Sequence, residues 1–352
     1  MADRWDCRKY GSKEDPIRQS DLNEIAGSYS CSKRLRYRKD QELADEEQPR
    51  ERTSYKAAGG TAIHETIHTY LTDPKASARV LAGELPSDEA IATVLTREME
   101  RAATGMIVDW YGEDPVKWGL EALAMCKGAL EDVGKRAEKI LASEVDFLAP
   151  IECDDKTYWL RGTIDLVYVA RESGSLVLAD WKTGQQRLPQ VILDHGYQLG
   201  IYAHAFKHGT LSRGEQSWRL DRWPDELYIV HLRDHVPYLK ATSKAADRPE
   251  ECALWNVQRG QKVKLKAGDK RGPAWYAARR TEADVARLKH SIRKIVGGVR
   301  LGILYEHIGD HCGKCTFSGA CLSDGHAPQG AERKHLESAL NGLDLDGLDE
   351  VA

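Results

Sequence analysis

The feature that constrains this chain most is a pair of short apolar runs, 164–169 and 176–179, separated by Arg171-Glu172-Ser173-Gly174. Runs of that length around a polar, glycine-containing turn predict two antiparallel strands joined as a hairpin. The first run begins within Gly162-Thr163-Ile164-Asp165; the second leads into Asp180-Trp181-Lys182-Thr183-Gly184. Side chains alternate faces along a strand, so Asp180 and Lys182 point one way and Trp181 the other. With Asp165 on the same face of the paired strand, two carboxylates and an amine meet at one spot. Two carboxylates can hold a hard divalent cation, and a lysine beside them can orient or deprotonate an attacking water. That equipment suits metal-assisted phosphodiester hydrolysis.

The flanking sequence adds candidates. A helix expected over 191–208 carries Gln198 and Tyr202, whose i, i+4 spacing places an amide and a phenol on one face, fit to bind a phosphate oxygen or buttress metal ligands. Glu144, opening an expected strand at 144–148, reads equally as a further metal carboxylate or as a surface residue. Upstream, Gly59-Gly60 breaks the chain before Thr61, the expected cap of a helix over 62–71. That helix contains His64-Glu65-Thr66-Ile67-His68, the H-E-x-x-H pattern of zinc proteases, in which two histidines share a helical face. No third zinc ligand is evident downstream at a recognisable spacing. His64 can instead serve as a ligand or positioning group for a metal at Asp165 and Asp180, and His68 reads as a surface or helix-packing residue.

The rest of the chain frames this centre. Residues before Ser20 are polar and expected to be loosely ordered, with a helix starting at Ser20 or Asp21. Residues 87–143 show helical periodicity interrupted at Asp114-Pro115 and carry no chemical motif. Further strands are expected at 225–233 and 236–241, a basic loop at 262–271, and a helix over 281–304 with Val285, Leu288, Ile292, Ile295, Val296 and Val299 as its buried stripe. The organisation expected is an N-terminal segment at 1–60, a helical region at 61–143, a core at 144–241, a loop and helix at 242–305, a cysteine loop at 306–326 and an acidic, disordered tail at 327–352.

The net charge of -4 announces no nucleic-acid partner. Local patches decide that instead, and Lys33-Arg34-Leu35-Arg36-Tyr37-Arg38-Lys39 is a basic block with an aromatic inside it. No apolar run approaches a membrane span and the start has no secretory hydrophobic region, so the protein is expected in the cytoplasm, away from membranes. There the eight cysteines are expected as thiols rather than disulfides. Cys312, Cys315 and Cys321 follow C-x2-C-x5-C, a spacing that predicts a metal centre, zinc or an iron–sulfur cluster. Cys31 is the first candidate for a fourth ligand, with His311, His326 and Cys7 behind it. Cys126, Cys153 and Cys252 read as ordinary buried thiols.

Taken together, these motifs resemble the RecB-like branch of the PD-(D/E)xK nucleases, in particular its iron–sulfur members: the CRISPR-associated adaptation nucleases, AddB-type nuclease domains and the exonuclease V group. His64 after Gly59-Gly60-Thr61 is similar to the family's early helix histidine, Gly162-Thr163-Ile164-Asp165 to its G-x-x-D element, Asp180-Trp181-Lys182 to D/E-x-K and Gln198-Leu199-Gly200-Ile201-Tyr202 to Q-x-x-x-Y. Cys31 with Arg34 and Tyr37, together with Cys312, Cys315 and Cys321, resembles the one-plus-three arrangement that binds a [4Fe–4S] cluster. The resemblance covers roughly Ser20 to Cys321.

The resemblance implies an α/β fold with a restriction-endonuclease-like core, a mixed central sheet flanked by helices, a helical insertion and a C-terminal cysteine loop. It implies that Asp165, Asp180, the Trp181 carbonyl and His64 bind Mg²⁺ or Mn²⁺, that Lys182 positions the water, and that Cys31, Cys312, Cys315 and Cys321 hold a structural [4Fe–4S] cluster, structural zinc being the alternative. The implied activity is a metal-dependent DNA exonuclease acting on single-stranded or frayed ends, with a protein partner in a recombination or adaptation complex. A non-cleaving DNA-binding module of the same fold is the rival reading, and an H-E-x-x-H protease a more distant one.

Overall fold

A computed structural model of the protein describes residues 5–26, 31–40, 52–110, 112, 114–184, 190–235, 273–305, 307, 312, 315, 317 and 321. The strand expected at 236–241, the basic loop at 262–271, Cys252, His311, His326 and the tail at 327–352 lie outside them. The chain divides into two compact units, one of Met1–Pro49, Ala149–Arg161 and Val285–Ala352, the other of Arg50–Leu148 and Gly162–Asp284. No helix among the described residues is long and apolar enough to cross a membrane.

In the first unit the expectation of a loosely ordered start fails. Tyr10, Ile17 and Leu22 are fully buried, and β1 (Ile17–Arg18) pairs in parallel with Leu160 and Arg161. Apolar residues spaced among polar ones suffice here because the partner strand comes from far along the chain. The helix expected at Ser20 is α1 (Gln19–Ala26), and the basic block is α2 (Ser32–Lys39). Part of that block's charge is engaged internally. Arg38 donates to Asp21 and to Glu24, and Lys39 pairs with Asp15 at 2.6 Å. Those two cations therefore neutralise carboxylates of the same unit instead of facing a phosphate backbone.

The second unit begins with β2 (Arg52–Ser54) and α3 (Tyr55–Thr72). Ser54 caps α3, its hydroxyl accepting the Ala57 N–H at 3.2 Å. The helix thus starts seven residues before the expected Ala62 and runs through Gly59-Gly60. At Gly59 the reason is contact: a Cβ there would lie 2.5 Å from the Trp118 ring, whereas one at Gly60 would make an ordinary contact with the Thr183 hydroxyl at 3.4 Å. Glycine costs about 1 kcal/mol of helix propensity at each position, and at Gly59 it permits close approach. Next come α4 (Pro74–Leu81), α5 (Asp88–Ala102), β3 (Ile107–Asp109) and α6 (Pro115–Arg136), with β3 parallel to β2. Asp114-Pro115, expected as a break, is the start of α6: Asp114 accepts the Val116 N–H at 2.9 Å and Pro115 needs no donor partner in the first turn.

Three long strands come after α6, namely β4 (Ala137–Cys153), β5 (Lys156–Ala170) and β6 (Leu176–Lys182). β4 begins earlier than Glu144, taking residues whose periodicity reads as helix. β5 and β6 are antiparallel, with Leu166 opposite Ala179 and Val169 opposite Leu176. The single helix expected over 191–208 is two, α7 (Gln190–His195) and α8 (Tyr197–His208), joined at Gly196, where a Cβ would come 2.5 Å from the Ile192 carbonyl. The short hairpin of β7 (Thr210–Arg213) and β8 (Gln216–Trp218) and the later strand β10 (Ala274–Ala278) are too brief for periodicity to announce. Between them lies β9 (Glu226–His231), and α9 (Glu282–Arg300) carries Leu288, Ile292, Val296 and Val299 buried as expected.

Among the described residues the main sheet has eight strands, in the order β10-β9-β6-β5-β4-β7-β8 with β1 beside β5. It is mixed, since β6 pairs antiparallel with β5 and parallel with β9. Ile63 and Ile67 of α3, Leu95 of α5 and Met125 and Leu130 of α6 share one core with Leu166, Val177, Ala179 and Trp181. That packing fixes α3 over the hairpin, and α3 carries His64.

Candidate active site

The site grows from the end of the hairpin. Continuing the register by one pair beyond Leu166 and Ala179 sets Asp165 opposite Asp180. Both are buried, 6% and 1% exposed, yet neither is simply packed away. Asp165 accepts the backbone N–H of Trp181 at 2.7 Å. Asp180 lies 2.5 Å from the Lys182 ammonium and accepts the Gln198 amide N–H at 2.8 Å. Gln198 also accepts from Lys182 at 3.0 Å and donates to the Tyr202 hydroxyl at 3.0 Å. The i, i+4 pair on α8 therefore holds the β6 carboxylate and amine in one network. Trp181 points the other way, its ring 6.0 Å from that of Trp275 in the core.

His64 reaches the same spot from α3. Its Nδ1 is 3.1 Å from Glu144 and 3.7 Å from Asp165. Among the described residues, His64, Glu144 and Asp165 form the group whose donor atoms all lie within 4.8 Å of one another. Glu144 arrives by an unusual route, with φ of +46° in the middle of β4. No sequence signal marks such a left-handed residue in a strand, which is why Glu144 reads as an open choice from sequence alone. Asp180, expected in the metal set, is engaged by Lys182 and Gln198.

Charge explains the behaviour of these groups. Burial raises the Asp165 carboxyl, an effect partly offset by His64 and deepened by Glu144. Burial likewise raises Asp180, against the pull of Lys182. Burial disfavours a proton on His64, but Asp165, the hydrogen bond with Glu144 and Asp180 outweigh it and lift the imidazole to about 9. Burial also works against the charge on Lys182, and Asp180 and Asp165 outweigh that too. In the metal-free site Lys182 is thus held as a cation, a form that can orient a nucleophile and offset phosphate charge. Burial, then Asp180, keep the Tyr202 phenol protonated. Three carboxylates face two cations here, so the site is short of positive charge. Two carboxylates and an imidazole in mutual reach are a donor set that fits a divalent cation.

The H-E-x-x-H pattern does not assemble. His64 turns to Glu144, while His68 meets the guanidinium of Arg213, a neighbour that no metal ligand nitrogen can share. Cys31, Cys312, Cys315 and Cys321 belong to the first unit. Cys31 precedes α2, Cys312 and Cys315 are linked by a turn with its N–H···O bond at 3.1 Å, and the Cys321 N–H donates to the Phe317 carbonyl at 2.9 Å. Phe317 stacks on Tyr37 of α2 at 5.6 Å between centroids, with Cys315 and Cys321 packed against the pair. Ser32 and Tyr305 exchange hydrogen bonds at 3.1 and 2.8 Å, so the segment after Cys31 and the segment before the cysteine loop are tied together.

Comparison with known proteins gives one family. The model of the PD-(D/E)XK nuclease superfamily matches residues 23–322. No curated protein matches the chain. A solved structure titled "Crystal structure of SSO0001" is similar over 82% of this chain and 92% of its own, at 15% identity and a TM-score of 0.28.

Proposed function

The chain belongs to the PD-(D/E)XK nuclease superfamily, and on that premise we propose that it is a metal-dependent deoxyribonuclease that works as an exonuclease on single-stranded or frayed DNA ends. The observation that carries the reading is the closed network in which Gln198 binds both Asp180 and Lys182 beside the His64, Glu144 and Asp165 group. His64, Glu144 and Asp165 would hold Mg²⁺ or Mn²⁺, with Asp180 and the Trp181 carbonyl at the edge of the set as the family resemblance implies, and the imidazole favours manganese. A divalent cation supplies Lewis acidity and offsets the charge that builds on a phosphate under attack. Lys182, fixed between Asp180 and Gln198, orients the attacking water and adds a second positive charge beside the phosphate. Tyr202 restrains Gln198 and so restrains Lys182.

The end-directed action on DNA is supported by the resemblance of the motif set to the RecB-like branch, whose members serve recombination and repair, phage DNA metabolism and CRISPR adaptation. That resemblance also supports a protein partner in a recombination or adaptation complex. Cys31, Cys312, Cys315 and Cys321 would hold a [4Fe–4S] cluster whose binding energy becomes folding energy for the segments tied by Ser32 and Tyr305. A brown protein absorbing near about 400 nm supports iron at that site, and a colourless one with a single zinc per chain replaces it by structural zinc. The activity is tested with end-labelled single- and double-stranded DNA in Mg²⁺, Mn²⁺ and chelator, where release of short products from the ends in metal alone is expected.

A further inference from the structure

Glu144 sits where β4 slips. Downstream of it the buried positions are the odd ones, Val145, Phe147, Ala149, Ile151 and Cys153, but Ala142 and Ser143 are buried in succession. The alternation of a strand breaks between Ala142 and Ser143. Glu144 follows that break with a φ of +46°, a left-handed conformation that costs a residue with a Cβ and that bulges use to re-aim a side chain. So aimed, its carboxylate reaches His64.

Something must hold that conformation. On the β7 side, the ladder with β4 runs over Leu148, Phe147 and Asp146 and ends there, two residues short of Glu144. The next residue of β7 is Arg213, and its side chain spans the remaining distance. One guanidinium nitrogen faces the Ser143 carbonyl at 3.5 Å and the other meets Nε2 of His68. A guanidinium only donates, so Nε2 of His68 is the bare nitrogen and the ring is neutral; burial, then Arg213, hold its pKa down to about 4. His68 lies one helical turn past His64 on α3, and Ser143 is one residue before Glu144. Arg213 therefore ties the two elements together immediately beside the imidazole–carboxylate pair.

We propose that Arg213 and His68 are positioning residues for Glu144: they fasten the left-handed turn at Ser143 and Glu144 to the helix that carries His64, and so set the spacing on which cation binding depends. This rests on the reading of His64, Glu144 and Asp165 as a divalent-metal site. The partners that orient metal ligands change affinity by about ten- to a hundredfold when removed, whereas a purely structural arginine would not couple to Glu144.

The test is calorimetric titration of Mn²⁺ into the full chain for wild type, Arg213→Ala, Glu144→Ala and the double variant, with thermal unfolding to check the fold. Arg213→Ala is expected to weaken Mn²⁺ about tenfold, and the double variant to bind no more weakly than Glu144→Ala, because a residue acting through Glu144 has nothing left to act on. If Arg213→Ala does not fold, His68→Leu carries the same comparison with the same expectation. Wild-type affinity in these variants, or a double variant weakened by the product of the two single effects, overturns the proposal. Wild-type protein that binds no Mn²⁺, or Glu144→Ala with unchanged affinity, overturns the metal-site reading and the positioning role with it.

Discussion

Asp165 accepts the backbone N–H of Trp181 across the hairpin at 2.7 Å, so the carboxylate that faces His64 also completes the pairing of β5 with β6. One residue thus has a structural task and a chemical one, and substitution can separate them. Asp165→Asn keeps an acceptor for the N–H while removing the charge that burial disfavours, and should unfold at or above the wild-type temperature. Asp165→Ala leaves a buried donor unpaired and should cost about 1–3 kcal/mol. Both should lose metal-dependent cleavage. Thermal unfolding beside a nuclease assay distinguishes the two tasks; equal stability for both variants would remove the structural one.

Glu144 presents the opposite case. Its left-handed backbone costs about 1–2 kcal/mol that glycine avoids, against about 0.5–1 kcal/mol for glycine's greater freedom when unfolded. Both Glu144→Gly and Glu144→Ala lose the contact with His64, so Glu144→Gly is expected to be the more stable of the two, with Mn²⁺ affinity lowered about a hundredfold in both. A Glu144→Ala protein at least as stable as Glu144→Gly would show that the φ of +46° is not strained.

Two glycines on packed helices should respond in opposite senses. A Cβ at Gly59 would strike the Trp118 ring, while one at Gly119 would meet nothing within 4 Å. Gly119→Ala should stabilise by about 0.5–1 kcal/mol through helix propensity. Gly59→Ala should destabilise by about 1–3 kcal/mol as Trp118 is displaced. Urea titration of the pair decides it, and two stabilising substitutions would contradict the packing of α3 on α6.

This pair also shows what the sequence hides. Gly59-Gly60 reads as a helix break because propensity is local, whereas the contact with Trp118 that makes glycine necessary comes from a helix begun far along the chain, at Pro115. Short apolar runs around a polar turn made the β5–β6 hairpin readable, and the i, i+4 spacing of Gln198 and Tyr202 placed them together, since these are local patterns. The buried N-terminal segment, the pairing of Arg38 and Lys39 with Asp21, Glu24 and Asp15, and the turn at Glu144 all depend on partners distant in sequence. No local pattern encodes them. The basic block is open to two readings for the same reason: charge count says nothing of which carboxylates stand opposite.

The pH dependence is set by His64. In the metal-free protein its pKa is raised to about 9, above the ordinary imidazole value of about 6.5. The stability that its proton provides is fully present below about 6.5 and is lost as pH rises through about 9. Metal-free protein should therefore lose stability across that window, and His64→Gln should lack this component. A cation must displace the same proton, so the apparent affinity for Mn²⁺ should rise about tenfold per pH unit up to about 9 and then level off. An affinity flat between about pH 7 and 9 would exclude His64 from the ligand set.

The central claim is that the Asp180, Lys182 and Gln198 network serves phosphodiester hydrolysis next to a metal held by His64, Glu144 and Asp165. Its most direct test is the cleavage rate of 5′- and 3′-labelled single-stranded DNA by wild type and Lys182→Ala in Mg²⁺ or Mn²⁺. The account predicts metal-dependent release of short products by wild type and a rate lower by about a hundredfold or more in a folded Lys182→Ala protein. Intact DNA with wild type in both metals, or an undiminished rate in Lys182→Ala, would contradict it.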